Sequence, residues 1–107
     1  IGRAQAFLGG LLRIKPILSV KDGEVHPVDR QRTRERGIQR LIELAEACAP
    51  VKEVAVGHTT TPREAEKLRQ RLQHLTPNKN ILLCRAGPVI GAHAGPGTLA
   101  VALRVGP

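Results

Sequence analysis

The chain has 107 residues, with 17 Lys or Arg against 9 Asp or Glu, a formal charge of +8. That length allows one domain with a modest two-layer core, and 41% hydrophobic and 24% charged residues are ordinary for a globular protein. One Phe and no Tyr, Trp or Met leave an aliphatic core, and remove the aromatic platforms on which nucleic-acid bases stack.

A basic excess suits phosphate contacts, yet no zinc-finger, basic-zipper or RNA-binding motif accompanies it, and nucleic acid is not expected as a partner. The alternative is a basic face in a fragment whose remainder balances the charge. The chain starts at Ile1, and Gly2-Arg3 reads as the middle of a segment, so a piece of a longer chain is expected. Cys48 and Cys84 are single and far apart, in apolar surroundings that suit small buried hydrophobes. No signal peptide and no apolar run of membrane-spanning length is present. A cytoplasmic protein with reduced thiols is the expectation.

In chain order, Ala4, Phe7, Leu8 and Leu11 recur at helical spacing over Arg3 to Leu12, although Gly9-Gly10 weakens that helix. Leu12 to Val20 reads as a strand, Lys21-Asp22-Gly23-Glu24 as a turn, and Val25 to Val28 as the returning strand. Asp-Gly between two apolar runs is a strong hairpin signal, and Pro16 and Pro27 place parts of it at an edge. Arg30, Arg32, Arg34 and Arg36 follow. After Thr33, a suitable N-cap, Ile38, Leu41, Ile42, Ala45 and Cys48 trace one helical stripe, which Pro50 ends. Lys52 to Val56 is a short strand.

Thr61, Pro62 and Glu64 then have the spacing of a capping box with Pro at the first helical position. Ala65, Leu68, Leu72 and Leu75 form the buried stripe of that helix, and Asn80 to Cys84 the next strand. Leu99, Val101, Leu103 and Val105 alternate with smaller or charged residues at the period of a strand. The expected fold is α/β (α+β): a mixed sheet of about five strands with helices packed on it.

The stretch Gly87-Pro88-Val89-Ile90-Gly91-Ala92-His93-Ala94-Gly95-Pro96-Gly97 suits neither a helix nor a plain strand. Glycine permits angles and close approaches that a Cβ forbids, and proline fixes φ and removes a donor. A sharply turned loop results, carrying one ionisable side chain, His93, with Gly91, Gly95, Pro96 and Gly97 shaping its surroundings. Such a histidine can donate to a carboxylate or phosphate, or relay a proton. The competing reading is a tight turn whose histidine caps its own backbone.

His58 follows a strand at a helix N-terminus, a place that binds anions, or is simply a solvated loop residue. His26 and His74 read as surface residues. In an extended segment Arg30, Arg32 and Arg34 would form one positive stripe, either a solvated face or a dock for an acidic partner or a nucleotide-bearing enzyme. No His, Cys and carboxylate set has metal-ligand spacing, and no nucleophile elbow, P-loop or dinucleotide fingerprint is present. No catalytic residue or cofactor is assigned.

Gly2-Arg3, Leu11-Leu12-Arg13-Ile14-Lys15-Pro16-Ile17-Leu18, Asp22-Gly23-Glu24, Arg32-Thr33-Arg34 and the loop from Gly87 to Gly97 together resemble the DegV family of bacterial fatty-acid-binding proteins. The resemblance runs in order over nearly the whole chain, and covers only the C-terminal of the family's two α/β domains. It implies a carrier, not an enzyme, that holds a long-chain fatty acid between the domains. The carrier presents the carboxylate to a separate ATP-using kinase subunit, which makes the acyl phosphate used in phospholipid metabolism.

By position the resemblance assigns His93 and Arg3 to the hydrogen-bond network at the carboxylate, and Arg32, with Arg34 second, to docking of the kinase subunit. The serine and threonine that grip the carboxylate would belong to an N-terminal domain absent here, so the piece alone should bind lipid poorly. An apolar slot near Leu8, Leu11 and Ile17 would take the tail at about 0.8 kcal/mol per buried CH₂. Two readings stand against the carrier: an enzyme using His93 as acid, base or phosphate ligand, and a basic nucleic-acid-binding module.

Overall fold

The hairpin, both inner helices and the three later strands expected from the sequence are present in the computed structural model, which describes residues 13–87 and 95–106. The helix expected over Arg3 to Leu12, with Leu8 and Leu11, lies outside the described residues, as does the middle of the glycine loop with Gly91 and His93.

β1 (Lys15–Lys21) and β2 (Glu24–Gln31) form an antiparallel hairpin in which Lys15 lies opposite Gln31 and Lys21 opposite Glu24. Asp22 and Gly23 turn it with φ of 54° and 76°. Two successive positive φ values match the right-handed twist of the flanking strands, which is why Asp-Gly is favoured there. Each strand of a two-stranded sheet is an edge, so Pro16 and Pro27 are tolerated. Ile17 is the buried residue of β1, at 6% exposure.

α1 (Arg34–Ala47) starts at Thr33, whose side chain accepts from the Arg36 N–H at 3.2 Å, and buries Ile42 and Ala45. β3 (Val51–His58) follows, then α2 (Pro62–Leu72) with a 3₁₀ turn at Gln73–Leu75, β4 (Leu82–Arg85) and β5 (Leu99–Val105). β3 is the middle strand of a three-stranded sheet, parallel to β4 and antiparallel to β5. β3, α2 and β4 therefore make a parallel crossover unit, the arrangement that requires a covering helix.

The core lies between this sheet and the two helices: Ile42, Ala45, Val54, Val56, Ala65, Leu68, Leu72 and Ile81 form one cluster. Leu68, Leu72 and Val56 are fully buried, each contributing about 1.5–3 kcal/mol of transfer free energy. The helices run side by side in the same direction, since Arg34 meets Glu64 at their first turns and Glu46 meets His74 at their far ends.

Four expectations need correction. The five strands divide between two sheets, because the hairpin pairs only with itself. The capping box does not form: Thr61 makes no side-chain cap bond, and Glu64 turns to Arg34 instead. Both cysteines are exposed and free, since Cys48 falls just past the end of α1 and Cys84 on the sheet face without helices. His58 is not a loop residue but the last residue of β3, buried at 8% exposure.

Candidate site at the carboxyl ends of the parallel strands

β3 and β4 end together, with His58 opposite Arg85, and β5 begins beside them with Leu99 opposite His58. Open sheets bind ligands in the crevice outside the carboxyl ends of their parallel strands. A cleft of about 540 Å³ lies at that place, lined by Thr59, Thr60, Arg85, Ala86, Gly87, Gly95 and Pro96. Gly87 and Gly95 are the described residues on either side of the segment holding His93. The loop therefore leaves from one wall of the cleft and returns to it.

The wall is fixed by threonine hydroxyls. Thr59, 7% exposed, donates to the Gly95 carbonyl at 2.8 Å and accepts from the Thr98 N–H at 3.1 Å. The Thr60 hydroxyl accepts from the Gly97 N–H at 2.8 Å. Ala86 donates its N–H to the His58 carbonyl at 2.8 Å, which continues the strand pairing past Arg85. Gly95 and Gly97 have φ of 83° and 78°, a region where a Cβ would be strained. Gly95 and Gly97 are thus required by the turn they make.

The electrostatics are one-sided. Among the described residues Arg85 is the single charged residue of the lining, and it has no ion-pair partner there. Eight of the nine acidic residues, Glu24, Asp29, Glu35, Glu43, Glu46, Glu53, Glu64 and Glu66, pair elsewhere with Arg or His. The ninth, Asp22, lies in the hairpin turn. Asp29 is held below the usual carboxylate range by the Arg30 N–H and the Arg40 guanidinium, and Glu66 by Arg69. The first turn of α2 adds the positive end of a helix dipole next to Thr60. His58 Nδ1 and Thr61 Oγ1 are buried without hydrogen-bond partners.

Of the residues singled out in the sequence, Gly95 and Pro96 line the cleft and Gly97 donates to Thr60. Ile17 is buried in the hairpin. His93, Gly91, Arg3, Leu8 and Leu11 lie outside the described residues. Arg30, Arg32 and Arg34 do not form one stripe, because the strand ends at Gln31 and the helix begins at Arg34. Arg32 is exposed, whereas the Arg34 Nε donates to Glu64 at 2.7 Å. His26 and His74 are surface residues paired with Glu24 and Glu46.

Thr59, Thr60 and Arg85 were not legible as site residues. The threonines read only as the approach to a helix cap, and Arg85 as the residue after a strand. Their proximity depends on the parallel register of β3 and β4, which neither segment encodes by itself.

Fold and cleft together define an α/β domain with a crevice at the carboxyl ends of its parallel strands, lined at one side by Gly87, Gly95 and Pro96. The model of the DegV family of uncharacterised proteins matches residues 1–105, and the chain belongs to that family. A DegV domain-containing protein of Streptomyces coelicolor is 40% identical over 105 residues, covering 94% of this chain and 37% of that protein. A fatty acid binding DegV family protein from Streptococcus agalactiae superposes with a TM-score of 0.76 at 27% identity, over 91% of this chain and 35% of the other. A DegV family protein from Thermus thermophilus, described by its fatty acid binding, gives 0.70 at 30% identity, over 92% and 36%. The chain thus spans little more than a third of the length of these relatives.

Among the described residues no helix is long and apolar enough to cross a membrane, and no group of three or more His, Cys, Asp or Glu could hold a metal.

Proposed function

We propose that this chain is the C-terminal domain of a cytoplasmic fatty-acid carrier, and that it binds the acid with the carboxylate at the cleft from which the His93 loop leaves at Gly87 and to which it returns at Gly95. The observation that carries the reading is the return of both ends of the His93 loop to one positively charged crevice. Relatives of the same fold bind fatty acids, and a carboxylate taken from water must meet donors to offset its desolvation. His93 and Arg3 supply those donors, together with hydroxyls of an N-terminal domain that closes the site.

The sheet face opposite the helices supports a two-part site. Ala55, Gly57, Leu82, Cys84, Ala100 and Ala102 share that face by register, and Leu82 is 64% exposed. An apolar face of this kind is ordinarily covered by further protein or ligand.

In this reading the carrier is not an enzyme. A separate subunit brings ATP; a carboxylate oxygen attacks the terminal phosphorus, the bond to ADP breaks, and acyl phosphate forms. Docking of that subunit falls to Arg32. Arg34, engaged by Glu64, orients the start of α1, and the Arg34–Glu64 pair sets the arginine segment at the same end of the molecule as the cleft. The full natural chain is expected to yield one long-chain fatty acid per molecule on organic extraction and mass spectrometry; an extract without stoichiometric lipid would overturn the carrier reading.

A further inference from the structure

We infer that Arg85 is the cationic anchor of an oxyanion subsite in this cleft, taking either the carboxylate of a fatty acid or a phosphoryl group. For its lipid ligands the inference rests on the fatty-acid reading above; for the subsite itself it rests on the charge and hydrogen-bonding inventory of the cleft. Arg85 is the one charge among the described lining residues, and no carboxylate neutralises it, since all acidic residues but Asp22 are engaged with other partners. A guanidinium offers a fork of donors that matches carboxylate and phosphate geometry.

The neighbouring groups complete the chemistry. The Thr60 hydroxyl accepts from Gly97, so its own proton is available to a ligand. Thr59 uses its donor on Gly95 and its acceptor on Thr98, which fixes the wall without contributing a free donor. Arg63, in the first turn of α2, is exposed and has no ion pair among the described residues, and it adds to the positive field of that helix end. His58 precedes this wall by one residue and keeps Nδ1 buried and without a hydrogen-bond partner.

The test uses the full natural chain, with Arg85→Gln and Arg85→Lys, and four probes: hexadecanoate, hexadecyl phosphate, hexadecanol and inorganic phosphate followed by phosphorus NMR. Arg85 is exposed, so both variants should unfold at the wild-type temperature. Arg85→Gln is expected to weaken the anionic lipids about ten- to a hundredfold, the range for hydrogen bonds to charged groups. Arg85→Lys should recover part of the loss, and hexadecanol should bind all three proteins alike. Loss for both lipids assigns a general oxyanion site; loss for the phosphate ester alone assigns a phosphoryl site.

Unchanged affinity of Arg85→Gln for both anionic lipids overturns the inference while leaving the carrier reading intact. If the wild type binds no lipid, the carrier reading falls and inorganic phosphate decides the subsite. Line broadening in the wild type that disappears in Arg85→Gln then upholds it, and broadening that is absent or unchanged rejects it.

Discussion

The Thr59 side chain and the Gly95 backbone are joined by a 2.8 Å hydrogen bond, although 36 residues separate them. This bond ties the start of the β3–α2 connection to the returning end of the glycine loop. With the Thr98 N–H donating back to the same hydroxyl at 3.1 Å, this oxygen joins the Thr60–Gly97 and Thr98–Gly95 bonds in holding the returning segment against the sheet.

Thr59→Val preserves volume but leaves the Thr98 N–H without its acceptor. A lost buried hydrogen bond of this kind costs about 1–3 kcal/mol. Chemical denaturation should show a loss in that range, and fatty-acid affinity should fall with it because the loop is less restrained. A variant with wild-type stability and affinity would show that the hydroxyl does not hold the loop.

Leu68 is fully buried between α2 and the sheet. Leu68→Ala should destabilise by about 2–5 kcal/mol, the sum of lost transfer free energy and the cavity left behind. Urea unfolding measures it, with an unchanged slope marking a pure stability effect.

The two arginines of the segment after β2 should behave differently. Arg34→Ala breaks the pair with Glu64 and leaves that carboxylate part-buried, so thermal stability should drop. Arg32→Ala touches no ion pair among the described residues and should leave stability unchanged while weakening binding to the kinase subunit proposed above. Surface plasmon resonance with that subunit separates them; equal affinity of wild type and Arg32→Ala removes the docking role.

Asp29 gives a pH dependence of known sign. Its folded carboxyl lies below its ordinary value because the Arg30 N–H and the Arg40 guanidinium favour the charged form. Its contribution is present above the unfolded value and disappears as pH falls through the folded one. Thermal unfolding of Asp29→Asn should therefore differ from wild type at neutral pH and converge with it in acid. An equal difference at both pH values would assign the loss to packing.

For the loop itself, the proposed role predicts that His93→Ala in the full natural chain reduces acyl-phosphate formation by the proposed kinase subunit. Unchanged turnover, measured under saturating fatty acid, would take His93 out of the mechanism.

Much of the local structure was dictated by neighbouring residues along the chain. The Asp22-Gly23 turn followed from the need for two positive φ values, α1 from Thr33 and the Ile38, Ile42, Ala45 spacing, and β5 from the alternation of Leu99 to Val105. Each of these signals acts over a few residues, so the amino-acid order alone expresses it. The same order marked the glycine loop and, through the motifs it contains, the family.

Only the tertiary structure decided which distant groups meet. It separated the hairpin from the main sheet, drew Glu64 away from its own helix cap to Arg34, and exposed Cys48 and Cys84 where their apolar neighbours suggested burial. It also set Arg85 beside Thr59 and Thr60, because the parallel alignment of β3 and β4 is imposed by helix packing on Val54 and Val56. Local preferences carry no information about that alignment, since it is fixed by which apolar surfaces are buried together.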